Sequence, residues 1–581
     1  MIETPLLQEE PSGIATSNQA YVSLSRRKWL GRISAGALAV AGTSMIGTQA
    51  LAAEPVNPGA IKDGMAGAGT YNIRDFGAKG DGKMLDTAPV QAAIDACHRD
   101  NGGTVLVPAG DFVIGTIELK SNVTLHLANQ GRLLGSPRRE DYRAGKGVPE
   151  GNGNIVLLYA VEADNIAIEG RGTLDGNGKA FYTGHGDNTG PGNTERGYMD
   201  RPHLAIFYKC TNLLMRDTFF TQSAYHCFRI LHCQQINIDG IRIYNRINKN
   251  NDGFHFNSCQ YVHISNCDVR CQDDACALFG SNQFVTVTNC SFSTRWSIFR
   301  FGSGAAQHIA VSNCLIYETY GCPIKISSGR AQLENLTFSN IIMRNVTGPI
   351  GIGFSGASQN SSNAAADTAK PFVRNIVFNG IRATVVPLPV NHPDIPFEVY
   401  IKNGEQNSCI TLNGMGEAYL ENISFTDVHV TYAGGGTAAQ AAKRDIPKIA
   451  REYFGVWDQE PAGPPAYGLY ARNVKGLTLQ NVRFDYEKPD ARPAVVFDNV
   501  QEASINGLSA QGSPEVPLLR FTNTKDVMLS ATRVLTSAAA FLSLEGTGNE
   551  GIPVDGGDLR KAGKPVVYES GATKKSVNLR V

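Results

Sequence analysis

Three aspartates fall in two short clusters, Asn250-Asn251-Asp252-Gly253-Phe254-His255 and Gln272-Asp273-Asp274, with 21 positions from Asp252 to Asp273. Carboxyl groups gathered in this way can cut a glycosidic bond. That reaction needs one protonated carboxyl for the leaving oxygen and one ionised carboxylate for water. Crowding acids together is how one of them comes to hold its proton. Asp beside Asn and Gly is also an ordinary turn residue, so the meaning of the clusters depends on the elements that carry them.

Those elements repeat. Short apolar strands open at Leu213, Ile236, Val262, Val285, Ile309 and Leu336, at intervals of 23, 26, 23, 24 and 27 residues. Within each copy the apolar residues alternate, as in Val262-His263-Ile264 and Ile309-Ala310-Val311, and a period of two argues strand. A polar turn follows, Asn266-Cys267, Asn289-Cys290 or Asn313-Cys314, and then a second short strand such as Ser291-Phe292. Copies of this length, built only from strands and turns, predict an all-β parallel β-helix in which each coil buries its inward side chains against the next. Weaker copies at Asn165-Ile166, Asn375-Ile376, Asn422-Ile423 and Leu477-Thr478 carry the pattern outward in both directions, so one solenoid spans most of the chain.

Ahead of the first coils, Asp86-Thr87, Pro89 and the apolar set Val90, Ile94 and Cys97 predict a capped amphipathic helix. Such a helix would cover the open strand edges of the first coil. Between Tyr432 and Tyr467 the strand rhythm lapses into Gly434-Gly435-Gly436, a charged run and several prolines, which reads as a lateral insertion. The expected organisation is a leader at 1–53, a linker at 54–70, the solenoid at 71–535 with its insertion at about 432–467, and C-terminal coils and tail at 536–581.

Lys plus Arg and Asp plus Glu each number 53, and charged residues make up only 18%. This balance argues against nucleic acid as a partner, because nucleic-acid-binding proteins carry a basic face. Ten of the twelve cysteines lie from Cys210 to Cys322, and Cys267, Cys290 and Cys314 recur at 23 and 24 residues. They are expected to stack as a column of small buried apolar groups; disulfides are the alternative, and the spacing gives little support to zinc. Near the start, Ser25-Arg26-Arg27-Lys28-Trp29-Leu30 precedes an uncharged run from Ile33 to Ile46 and Ala50-Leu51-Ala52. This is similar to a bacterial twin-arginine export signal, and the run is shorter than the ~20 apolar residues a membrane span needs. The expected destination is the periplasm or the outside, with no stable membrane anchor.

Asp75-Phe76-Gly77-Ala78-Lys79-Gly80-Asp81-Gly82, followed by Asp86-Thr87 and Gln91-Ala92-Ala93-Ile94, resembles the opening of glycoside hydrolase family 28 and related pectin-degrading proteins. Asn250-Asn251-Asp252-Gly253 resembles the Asn-Thr-Asp-Gly motif of that family, and Gln272-Asp273-Asp274 its Gly-Asp-Asp motif. The resemblance implies a single-stranded right-handed parallel β-helix with a short N-terminal capping helix. It also implies an inverting hydrolase in which Asp273 is the general acid and Asp252 and Asp274 hold water, with no metal or other cofactor and a polysaccharide or oligosaccharide substrate, the protein acting as a monomer.

Two departures bear on the substrate. Where the family has Gly-His-Gly this chain reads Thr294-Arg295-Trp296-Ser297-Ile298-Phe299-Arg300, and Arg-Ile-Lys becomes Pro323-Ile324-Lys325. Asn250, His255 and Lys325 remain as expected substrate contacts, and Arg295 or Arg300 is expected to replace the lost cation. Plain polygalacturonate is therefore expected to be a weak substrate. Two other readings compete: a polysaccharide lyase of the same fold, with Arg270 or Lys249 as base and Ca²⁺ to acidify the substrate, and a carbohydrate-binding solenoid without catalysis.

The leader reading yields a direct test. Removing the first 52 residues should leave a soluble protein, and replacing Arg26 and Arg27 by lysine should stop export. Continued export of the lysine variant would rule out the twin-arginine route.

Overall fold

The computed structural model describes residues 69–149, 154–181, 201–302, 304–327, 332–354, 370–398, 401–415, 418–447 and 456–580; the expected export signal and linker lie outside them, save Gly69 and Thr70. Each coil contributes three strands to three columns of parallel strands. The first column holds Phe228–Leu231, Phe254–Asn257, Cys276–Phe279, Phe299–Phe301 and Ile324–Ser327. Beside it the second takes Gln234–Asp239, Gln260–Ser265 and Gln283–Thr288, and the third Arg242–Asn245, Asp268–Cys271 and Ser291–Ser293. In Gln307–Thr319, Gln332–Val346 and Phe372–Val385 the second and third strands run together as one strand. The same parallel pairing continues to Val577–Arg580, giving the parallel β-helix that the repeat predicts.

The repeat also gives the register. Leu213 pairs with Ile236, Ile236 with Val262, Val262 with Val285, Val285 with Ile309 and Ile309 with Leu336, and the column goes on through Ile376, Ile423 and Leu477. All of these side chains are buried. Further into the solenoid Phe338, Phe378 and Phe425 stack face to face at 5.3 and 4.9 Å. All twelve cysteines are free and buried, so the expected column of apolar thiols is what forms.

Corners between strands need a left-handed residue, and asparagine fills many of them. Asn165, Asn212, Asn335, Asn375 and Asn422 all have φ between 53° and 60°. Their side chains link coil to coil: Asn212 donates to Asn165 at 2.9 Å, Asn375 to Asn335 at 3.3 Å and Asn422 to Asn375 at 3.2 Å. Asparagine tolerates this conformation because its short amide bonds locally. Between the two runs, Tyr261, Phe284 and His308 take the same conformation and stack at 5.1 and 5.3 Å instead.

The helix Thr87–Arg99 buries Val90, Ala93, Ile94, Ala96 and Cys97 against the first coil. Asp86 precedes it without capping it. Its carboxylate instead accepts from the backbone N–H groups of Lys79 and Gly80, at 2.8 and 2.9 Å. After Tyr432 the chain leaves the coil, and in this excursion the short helix Ala438–Ala441 is capped by Thr437. A second excursion, 386–409, separates Phe372–Val385 from Ile410–Asn413.

The asparagine ladder makes a prediction. Asn375→Val forces a β-branched residue into the left-handed region, at a cost of roughly 1–2 kcal/mol, and removes two coil-to-coil hydrogen bonds, whereas Asn375→Gly loses only the bonds. Urea unfolding should show the valine variant clearly less stable than the glycine variant. Equal losses would mean that the conformational requirement is not what the ladder answers.

Candidate active site

Both aspartate clusters lie in the corner that joins the third column to the first. Arg242–Asn245 precedes the Asn250 cluster and Asp268–Cys271 precedes Gln272-Asp273-Asp274, with Phe254 and Cys276 opening the strands that follow. In a straight strand Asp273 and Asp274 would point to opposite faces; the corner allows both to serve one site.

Asn251 fixes the upstream corner. Fully buried, it accepts from the N–H groups of Ile247 and Asn248 at 3.0 and 2.6 Å, and donates to the carbonyls of Ser223 and Tyr225 at 2.9 and 2.8 Å. All four hydrogen-bonding positions on this amide are thereby filled, as a buried polar group requires. Asn245 adds a link to the carbonyl of Asp252 at 3.0 Å. The two corners are tied by the N–H of Asp273, which donates to the carbonyl of Asn251 at 3.1 Å, and that of Gly253, which donates to the carbonyl of Asp274 at 2.9 Å.

The three acids have different surroundings. Asp252 is 4% exposed, with Oδ2 at 3.2 Å from Nδ1 of His255 and Oδ1 at 3.7 Å from Nε2 of His226. Burial, and then the neighbouring Asp274 charge, push its carboxyl well above the usual carboxylate range. Asp273 is partly exposed and accepts from the Asn250 side chain at 3.2 Å. Its carboxyl is also pushed well up, by burial and then by Asp252 and Asp274. Asp274 is 2% exposed and forms an ion pair with Arg300 at 2.8 Å. Burial lowers the His255 imidazole to about 4, with Arg229 acting in the same direction, so the ring is neutral at neutral pH.

The strands of the first column then carry the cations. Arg229, His255, Ala277, Arg300 and Lys325 pair in register from coil to coil, on the face opposite the buried Ile230, Phe256, Leu278, Phe301 and Ile326. His255 is stacked between His226 and Phe279, at 5.0 Å from each, and Arg300 lies 5.3 Å over the Phe279 ring. Asn250, His255, Arg300 and Lys325 are thus brought to one face with the acids. Arg295 is not. It is 1% exposed and bound by both nitrogens of its fork to Glu405 at 3.0 Å, with its guanidinium 4.3 Å over Trp296. The expectation that Arg295 replaces the lost cation is therefore corrected: its charge is neutralised inside the protein by the 386–409 excursion, and Arg300 holds the position in line with Lys325. Arg270, considered as a lyase base, lies in the third column near Asp268 and Tyr317, away from the face that carries the acids.

His226 and Arg229 are residues that the motifs do not reveal. They belong to the coil before the first aspartate, and neither sits in a recognisable pattern: His226 lies in the corner before the strand, and the signal for Arg229 is one polar residue in the otherwise apolar Phe228–Leu231. His226 is buried and, among the described residues, has no hydrogen-bond partner at Nδ1; burial holds its imidazole well below the ordinary value. His226, Asp252 and His255 place three ligand-type atoms within 4.8 Å of one another. Such a group of ligand types suits a divalent metal.

With that geometry in place, the chain can be compared with known proteins. It is 26% identical over 339 residues to "Polygalacturonase-2" of Solanum lycopersicum, covering 55% of this chain and 69% of that protein. To the "Exo-poly-alpha-D-galacturonosidase" of Dickeya chrysanthemi it is 28% identical over 253 residues, covering 35% of this chain and 41% of that protein. The solved family 28 exopolygalacturonase of Yersinia enterocolitica superimposes with a TM-score of 0.56 at 20% identity, over 75% of this chain and 78% of that one, a likeness of fold. The sequence model described as "Glycosyl hydrolases family 28" matches residues 97–439, and the chain, a glycoside hydrolase by this measure, belongs to that family.

Proposed function

We propose that this glycoside hydrolase cleaves a pectin-type polysaccharide with inversion at the anomeric carbon, and that it does so as an exported monomer. The observation that carries the reading is the meeting of three aspartates from two neighbouring corners. Two of them, Asp252 and Asp273, are pushed toward their protonated forms, while Asp274 is ion-paired with Arg300. Asp273, the most open of the three, gives its proton to the leaving oxygen. Asp252 and Asp274, paired across adjacent coils, hold the water that attacks from the other side. Inversion requires about 6.5–9.5 Å between acid and base, and coils about 4.8 Å apart allow a diagonal pair to reach it. Arg300 and Lys325, adjacent in register, would receive a uronate carboxylate. The polygalacturonase names of its relatives support a pectic substrate, and the twin-arginine-like leader supports export.

Asp273→Asn should lower turnover by roughly 10²–10⁴-fold on a natural polysaccharide, the usual contribution of a general acid, with little change in binding. The loss should shrink on an aryl glycoside whose leaving group needs no proton, whereas Asp252→Asn should remain slow on both. Equal damage on both substrates in Asp273→Asn would assign the acid to another aspartate.

The same variant carries a stability prediction. A carboxyl whose pKa is raised in the folded state favours folding at low pH, and that contribution is lost as pH rises from the unfolded value through the folded one. At neutral pH, Asp273→Asn should therefore raise the melting temperature, with the gain vanishing in acid. A turn aspartate predicts a fall instead.

Activity should survive EDTA, because the acids are assigned to proton transfer and water positioning. Loss restored by Ca²⁺, together with ultraviolet absorbance of unsaturated products, would favour a lyase.

A further inference from the structure

We infer that the site accepts the end of a polysaccharide chain and releases short products from it. This rests on the hydrolase reading above. The outward face of the first column is a single line of residues running the length of the solenoid, and its exposure shows how much sugar chain it can hold.

Downstream of Lys325 the line continues through Gly351, Thr411, Tyr470, Val496, Arg520 and Ser543, each paired in register with the next. All six are buried. Upstream of Arg229 it passes through Ile206 and Tyr159, which are buried with Val148 in a small apolar cluster. Along this line the partly exposed positions near the acids are His255 and Arg300, next to the partly exposed Asp273. A chain lying along the sheet would need outward positions open on both sides of the acids. Here they are closed on both sides.

The downstream closure is built by the two excursions, and it is fixed in place. Arg520 donates to the carbonyl of Ala441, Arg472 donates to those of Ile446 and Pro447 at 2.7 and 2.6 Å, and Arg444 binds Glu545 through two contacts of 2.7 Å. The 386–409 excursion reaches back to the corners that carry the acids. There Asp394 accepts from Arg246 at 2.8 Å and from Tyr244 at 2.9 Å, and Glu405 holds Arg295. The two excursions are joined where the N–H of Gly404 donates to Asp458 at 2.8 Å. Removing one partner from a buried ion pair leaves an uncompensated charge, so these contacts make a standing wall.

The test follows the products. The full-length enzyme is given polygalacturonate and rhamnogalacturonan, each also as end-labelled oligosaccharides, and viscosity is recorded against new reducing ends. The inference expects products of one short, constant length from the earliest time points, with viscosity falling slowly. A ladder of intermediate lengths with rapid loss of viscosity would overturn it while leaving the hydrolase reading intact. No new reducing ends from polymer or oligomer would remove both. The double variant Asp394→Asn, Glu405→Gln, with folding checked by circular dichroism, should release intermediate lengths that the parent does not. An unchanged product pattern in the folded variant would overturn the assignment of the wall to 386–409.

Discussion

Residue-to-residue pairing between successive coils is the constraint from which the site follows. Because side chains alternate along a strand, a slip of one residue would turn His255, Arg300 and Lys325 inward and put Phe256, Phe301 and Ile326 in solvent. The apolar columns forbid such a slip, and in doing so they set the spacing of the clustered aspartates. Asp252 and Asp274 stand one coil apart because Phe254 and Cys276 do.

The corners add what the strands cannot. A strand delivers one outward residue in two, so consecutive acids can share a face only where the strand is broken, and a broken strand leaves backbone groups without their ladder partners. Asn251 and Asn245 answer those groups with side-chain amides. The corner is thus rigid without being regular, and it holds carboxyls away from water, where their charges are costly. Arg295 and Arg300 show how finely this geometry sorts similar residues. Five positions apart, one meets Glu405 in the interior and the other meets Asp274 at the site.

The solenoid and its register were legible because they are written many times over: Leu213, Ile236, Val262 and their successors repeat one signal in coil after coil. The three aspartates were legible because both clusters keep a family pattern. What escaped was written once. His226 lies in the corner before an apolar strand and Arg229 is a single polar residue within it, with nothing to mark either before the strand is placed beside Asp252. The reach of 386–409 was hidden for another reason, since the partners of Asp394 and Glu405 lie 148 and 110 residues away. Sequence could not separate Arg295 from Arg300, because the alternation that would do so begins only at Phe299, after the corner.

The columns of thiols have a bearing on durability. Oxidants attack the thiolate of an accessible cysteine, and here all twelve cysteines are shut away from solvent. Burial also pushes the thiols of Cys259 and Cys314 up to about 12, and those of Cys97 and Cys409 up to about 11. A protein with so much sulfur would ordinarily age quickly outside a reducing cell, by sulfenic acid formation and by scrambled cross-links between molecules. This one keeps its sulfur as buried filling, out of reach of those reactions.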